Sequence, residues 1–134
     1  MKVVAKAILD FNGQLLILVR SKTHPNYGGQ YDLPGGEVDR DKSPLAGIVR
    51  EVEEETGIIL SERDLKLVYE KKIASPAVHQ IYEAKAGLIR PNVRLSPEHS
   101  KYLWLTRADI LDKHYPLNLD PFFTDVLTYL KSLV

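Results

Sequence analysis

Two apolar-rich runs, Val3 to Asp10 and Gln14 to Arg20, flank Phe11-Asn12-Gly13. Asn-Gly between such runs is the strongest short-range hairpin signal, because both turn residues tolerate positive φ. A loop of glycine, proline and polar residues follows from Ser21 to Gln30, ahead of a short strand at Tyr31-Asp32-Leu33. Pro34-Gly35-Gly36 then implies a tight turn with positive φ or a close approach by another stretch of backbone.

Downstream the apolar period lengthens to that of a helix. Ser43 is a suitable N-cap, Pro44 suits the first helical position, and Gly57 is the matching stop. Between them Leu45, Ile48, Val49, Val52 and Thr56 fall on one stripe, the expected buried face. Glu51, Glu54 and Glu55 fall on the opposite side, while Glu53 points elsewhere and reads as solvated surface. Gly47 sits one turn above Glu51. A glycine inside a helix costs about 1 kcal/mol relative to alanine, so this one is expected to admit another backbone against the acidic face.

Leu65 to Ala74 and Ala77 to Leu88 read as two further strands around Ser75-Pro76, and Leu88 to Ser100 as a polar loop. Tyr102 to Leu105 is a short strand, with Trp104 as a core residue, and Arg107 to Asp112 a helical turn. A last helix is expected from Asp120-Pro121 to Leu133, with Phe122, Val126, Leu127 and Leu130 as its core stripe. Strands alternating with two principal helices predict an α/β fold, a mixed sheet with helices on both faces.

Composition bounds the function. The 134 residues suffice for one domain with its own core. Lysine and arginine number 18 against 18 acidic residues, so no global field recruits nucleic acid or a membrane surface. No apolar run approaches the length of a bilayer span. Met1-Lys2 leads straight into the first strand with no leader pattern, which makes the cytoplasm the expected location. Cysteine is absent, which removes disulfides, thiolate nucleophiles and sulfur-ligated metals together. His24, His79, His99 and His114 are scattered, without metal-ligand spacing, and read as solvated or hydrogen-bonded.

The densest chemistry lies in Arg50-Glu51-Val52-Glu53-Glu54-Glu55-Thr56-Gly57-Ile58. Glu51, Glu54 and Glu55 stand at i, i+3 and i+4, and like charges so spaced oppose a helix by roughly 0.2–0.5 kcal/mol per pair. They also lie near the helix C-terminus, where the macrodipole favours cations. A chain that accepts both penalties has a use for clustered carboxylates, and a hard divalent cation is the obvious one.

This run, aligned with Gly36, resembles the signature of the Nudix hydrolases, G-x5-E-x7-R-E-U-x-E-E-x-G-U with U aliphatic, as found in MutT-type proteins. Gly36, Arg50, Glu51, Val52, Glu54, Glu55, Gly57 and Ile58 match in register. Leu33-Pro34-Gly35-Gly36 is similar to the usual approach to that box, and Ser96-Pro97-Glu98-His99 with Tyr102 and Trp104 to the MutT-like branch. One fixed position departs from the pattern, since Lys42 stands where the family has a glutamate. Asp39 or Asp41 can compensate, Lys42 can contact a substrate phosphate, or Lys42 is an exposed loop residue.

The resemblance implies an α/β/α sandwich and hydrolysis of a pyrophosphate linkage in a nucleoside diphosphate derivative, with Mg²⁺ or Mn²⁺ as cofactor. By that analogy Glu54 and Glu55 are metal ligands, Glu51 is a ligand or the base that activates water, and Arg50 orients Glu51. The Gly36 carbonyl is a further ligand. Glu98 is either another metal-binding or base carboxylate or a helix-start glutamate. Arg20 is a candidate for a substrate phosphate against an ordinary surface arginine. Tyr27 and Tyr31 are candidates for stacking on a base against amphipathic packing.

A nucleoside triphosphate or modified nucleotide is the expected substrate, with ADP-ribose or another nucleotide sugar as the alternative. Pro76 lies near, but not at, the proline position of one ADP-ribose subgroup. The rival class is a catalytically impaired domain that binds nucleotides, for which Lys42 is the only support. No stable nucleic-acid or membrane partner is expected, and a homodimer is possible.

Overall fold

The computed structural model describes residues 2–73, 77–86, 89–112 and 119–133. The strands are β1 (Lys2–Phe11), β2 (Gln14–Arg20), β3 (Tyr31–Asp32), β4 (Gly35–Glu37), β5 (Leu65–Ile73), β6 (Ala77–Ala86) and β7 (His99–Thr106). The helices are α1 (Pro44–Thr56), α2 (Arg107–Leu111) and α3 (Pro121–Ser132), and a 3-10 turn at Glu62–Asp64 precedes β5. Ser75-Pro76 and His114 lie outside the described residues.

The expected hairpin forms, with Asn12 and Gly13 at φ of 56° and 86°. Its two strands are paired only next to the turn, at Asp10–Leu15 and Phe11–Gln14. Beyond that they splay, and the freed edges take new partners. β4 pairs with β1 through Val4–Glu37, Ala5–Gly36 and Lys6–Gly35, and β3 pairs with β2 through Leu18–Asp32 and Val19–Tyr31. The segment from β3 to β4 thus wedges the hairpin open. β6 runs parallel to the whole of β1, β5 runs antiparallel to β6, and β7 covers the other edge of β2, so the sheet is mixed.

Pro34-Gly35-Gly36 is strand entry rather than a turn, and close backbone approach is the operative reason for its glycine. Gly35 has φ of 140°, and a Cβ there would stand 2.3 Å from the Ala5 carbonyl oxygen and 2.6 Å from Lys6 Cα. No other residue type fits between these atoms.

Helices cover both faces of the sheet. Ala5, Ala7, Leu9 and Phe11 of β1, with Leu16 and Leu18 of β2, pack against Ile48 and Val52 of α1. Ile8, Leu15 and Ile17 face the other way, onto Ile110 of α2 and Phe122, Phe123, Val126 and Leu130 of α3. Burial on both faces is why β1 and β2 read as almost continuous apolar runs. Trp104 is half-buried on the α1 side, edge-on to Phe11 at 5.1 Å between ring centres. No helix of the described residues is long and apolar enough to cross a membrane.

The helix α1 is held at both ends as its sequence implied. Ser43 accepts a hydrogen bond from the Ala46 amide at 3.1 Å, and Gly57 closes the helix at φ of 75°. Carbonyls left open at its C-terminus are met by the loop before β7: Arg94 N–H donates to Thr56 O at 2.8 Å and Ser96 N–H to Glu55 O at 3.3 Å. That loop therefore docks beside the glutamates.

Two expectations for α1 need correction. Gly47 is buried, but what approaches it is the Val38 side chain and the Asp41 carboxylate, not a backbone on the acidic face. Glu55 is not on an exposed side; it is 5% accessible, because the β3–β4 wedge and the docked loop close over that flank of the helix.

Candidate active site

A cleft of about 520 Å³ opens where the hairpin strands part. Glu51 and Glu55, one turn apart on α1, form one wall with Gly35 and Gly36 of β4. A Cβ on Gly36 would stand 3.3 Å from Glu51 Oε1, so the glycine leaves the carboxylate its room. The Gly35 N–H donates to Glu55 Oε1 at 3.4 Å. Burial drives the Glu55 carboxyl well above the usual carboxylate range, reinforced by a hydrogen bond with Glu51 and by the charges of Asp32 and Glu51; Lys6 opposes the shift.

That arrangement tests the fit to a cation. A buried carboxyl pressed against a second one is stable only with positive charge between them, supplied by a proton or by a hard metal ion with oxygen preferences. Glu51, Glu55 and the neighbouring Gly36 fit such an ion. Glu54 does not join them: its side chain is 59% exposed and accepts from Arg50 Nη1 at 3.1 Å. Among the described residues no group of three or more His, Cys, Asp or Glu side chains stands ready to enclose a metal ion. The expected triad of Glu51, Glu54 and Glu55 is therefore present as a pair, with its third member held by Arg50.

Arg50 organises this wall. Its Nε and Nη2 donate to Asp41 Oδ1 and Oδ2 at 2.9 and 3.0 Å, and Nη2 also donates to Glu51 Oε1 at 3.2 Å. The Asp41 hydrogen bond, ahead of the Glu51 charge and the Glu54 hydrogen bond, holds the guanidinium even more firmly protonated than usual. Lys42 is exposed and does not line the cleft.

The same cleft carries a buried ionic network that spacing along the chain did not reveal. Lys6 Nζ donates to Asp32 Oδ1 at 2.6 Å, Arg20 Nη2 reaches Asp32 Oδ1 at 3.2 Å and Asp120 Oδ2 at 2.8 Å, and His99 Nε2 meets Asp32 Oδ2 at 2.9 Å. Burial pushes the Asp32 carboxyl up, but Lys6, the His99 hydrogen bond and Arg20 together outweigh it and hold it well below the usual carboxylate range. Arg20 is thus no ordinary surface arginine. It is 6% accessible, and its Nη1 is buried without a protein partner among the described residues. The available signals were Lys6 in the middle of an apolar strand and Asp120 before Pro121, each individually readable as snorkelling or capping.

The remaining candidates separate. Glu98 is exposed and lines the cleft, on a loop tied to the end of β2 by Ser21 N–H to Glu98 O at 2.9 Å and Ser21 Oγ to Pro97 O at 2.7 Å. It precedes β7 rather than starting a helix. Tyr27 also lines the cleft, with its ring 5.8 Å from the Arg20 guanidinium and φ of 57°. Tyr31 is not brought to the cleft; its ring packs edge-on to Phe123 at 6.2 Å on the α3 side of the sheet. Phe122, at the start of α3, borders the cleft but is buried, with Lys6 Nζ 5.2 Å over its ring and the His79 ring 4.8 Å away. His79 and His99 are the hydrogen-bonded histidines expected, His79 pairing with Asp125 at 2.7 Å.

Comparison with known proteins assigns this architecture. The family model of the NUDIX domain matches residues 1–126. A MutT-like protein of Streptomyces ambofaciens is 32% identical over 82% of this chain and 66% of its own length. An ADP-ribose pyrophosphatase of Methanocaldococcus jannaschii is 33% identical over 59% of this chain and 46% of its own length. The chain thus spans under two thirds of the length of either relative. The crystal structure of a MutT protein from Methanosarcina mazei Go1 superposes with a TM-score of 0.74 at 28% identity, covering 98% of this chain and 94% of that one.

Proposed function

The chain belongs to the NUDIX family, and from that premise we propose that it hydrolyses a pyrophosphate linkage in a nucleoside diphosphate derivative, foremost a nucleoside triphosphate or modified nucleotide. The observation that carries the proposal is the juxtaposition, in one cleft, of the Glu51–Glu55 pair with the buried cations Lys6 and Arg20. The first suits a divalent cation. In the second, Lys6 and Arg20 are neutralised by Asp32 and Asp120, and Arg20 Nη1 remains the one buried donor of the pair without a protein partner among the described residues, suited to an acceptor-rich substrate.

Glu51, Glu55 and Gly36 would hold Mg²⁺ or Mn²⁺, with Glu54 joining on release from Arg50. The ion, when bound, neutralises phosphate charge and lowers the pKa of water. Glu51 is the base that takes the proton of the attacking water, and Arg50 fixes its carboxylate in place. Glu98, which lines the same cleft, is the second candidate for that base. Arg20, whose Nη1 has no partner among the described residues, is the candidate donor to a substrate oxygen, and the exposed Tyr27 offers a face for a base. Water adds to phosphorus, the anhydride P–O bond breaks, and the leaving phosphate departs with the bonding electrons. Such phosphoryl transfer asks the protein mainly for position and charge.

A panel of nucleoside triphosphates, modified nucleotides and ADP-ribose, incubated with Mg²⁺ or Mn²⁺ and analysed for products, tests the proposal. Release of monophosphate, pyrophosphate or phosphate is expected, with a loss of about 10²–10⁴-fold in Glu51→Gln. A divalent cation should raise the melting temperature of the wild type and not of Glu55→Gln. Tight nucleotide binding with no turnover under either metal would overturn the hydrolase reading in favour of a binding module.

A further inference from the structure

Arg50 is the hub of the acidic wall, and the position from which its family signature would supply a carboxylate holds Lys42. The structure nonetheless gives Arg50 a bidentate partner. Asp41, one residue earlier, receives Nε and Nη2 on its two oxygens at 2.9 and 3.0 Å, the paired geometry in which a guanidinium is most firmly oriented. A bidentate grip fixes the plane of the guanidinium, and with it the direction of the Nη2 hydrogen bond to Glu51.

An aspartate reaches this place for an identifiable reason. Asp41 N–H donates to Val38 O at 3.2 Å, which turns the loop inward over α1. The loop then lies against Gly47, where a Cβ would stand 2.5 and 2.6 Å from Val38 Cβ and Cγ1 and 2.8 Å from Asp41 Oδ2. The missing Cβ lets the loop sink far enough for the shorter side chain, and the same turn leaves Lys42 exposed.

We propose that Asp41 is the positioning residue for Arg50, and through it for Glu51, in place of the carboxylate that Lys42 displaces. Lys42 therefore does not impair the site. This inference rests on the hydrolase reading for its kinetic consequence but not for its structural one.

The test is kinetic and spectroscopic on the full chain, with Asp41→Ala, Lys42→Glu and the double variant Asp41→Ala/Lys42→Glu. Asp41→Ala should lose kcat by about tenfold or more with KM nearly unchanged, since a base held out of line slows the chemical step. Lys42→Glu alone should change neither, whereas the double variant should recover most of the lost kcat, because the restored glutamate takes over Arg50. Unchanged kcat in Asp41→Ala, a large gain in Lys42→Glu alone, or no rescue in the double variant would each overturn the proposal. Should the wild type hydrolyse no nucleotide, the hydrolase reading fails, and the Arg50 Nε–H NMR resonance decides Asp41 separately. Its loss or shift in Asp41→Ala and its persistence in Lys42→Glu are expected; an unmoved resonance in Asp41→Ala refutes the pairing.

Discussion

Lys6 and Asp32 meet at 2.6 Å in the interior, with only 8% and 7% of their side-chain surfaces exposed. Asp32 also serves Arg20 and His99, so it is the shared anion of the network on which the cleft floor rests. Asp32→Asn keeps the shape but leaves buried cations uncompensated, and should cost about 3–5 kcal/mol. Urea unfolding followed through Trp104, the single tryptophan, measures this directly. The pH dependence carries the same signature. The folded carboxyl is held below its ordinary 3.8, so the unfolded chain binds more protons in that range. Stability from this group is complete above about pH 5 and is lost as pH falls toward the folded value. The wild type should show that acid slope from Asp32, and the variant should lack it; equal slopes would deny Asp32 its role.

Gly47 makes a second point about the loop over α1. In an open helix Gly→Ala stabilises by about 1 kcal/mol. Here the added methyl would meet Val38, itself 1% accessible, and Asp41. Overpacking of a buried contact costs about 1–3 kcal/mol, so Gly47→Ala should be net destabilising. A rise in melting temperature would show that the loop gives way freely.

The sequence made α1 and its chemistry legible because their determinants are local. A serine cap, a proline, a stop glycine and an apolar stripe lie within Ser43–Gly57, and the glutamates are placed by helical spacing alone. The hairpin was legible for the same reason, from Asn12-Gly13. What escaped depends on distant pairing. β4 is three residues containing two glycines, with no strand propensity of its own, and exists because splayed β1 offers an edge. The Lys6–Asp32 and Arg20–Asp120 pairs join residues 26 and 100 positions apart. Whether Tyr31 or its neighbour Asp32 turns to the cleft follows from strand register, since adjacent side chains point to opposite faces. Spacing placed Glu54 with its fellow glutamates but could not show that Arg50 holds it.

Ser43→Ala tests the local part. The hydroxyl satisfies the Ala46 amide, and its loss should cost about 1 kcal/mol, a fall of about 3–5 °C in melting temperature. The glutamates should be shifted little, so kcat should hold at temperatures where the variant is folded. A drop in kcat without a drop in stability would mean that the helix start steers the site.

Arg20→Lys separates a structural arginine from one that also binds. Nη2 alone bridges Asp32 and Asp120, while Nη1 is buried, unpartnered among the described residues, and belongs to a side chain lining the cleft. A lysine ammonium can replace the bridging charge but has no second, rigidly held donor to offer. Charge-assisted hydrogen bonds contribute about 1.5–3 kcal/mol. KM for the hydrolysed nucleotide should therefore rise by about 10- to 100-fold while kcat changes little, because the lost contact is made equally in ground and transition states. Stability should fall far less than in Asp32→Asn, since no buried carboxylate loses its cation. If KM is unchanged and only stability falls, Nη1 is satisfied by water and Arg20 belongs to the scaffold. If kcat falls in parallel with kcat/KM, the contact forms in the transition state, and Arg20 acts on the oxygen where charge develops.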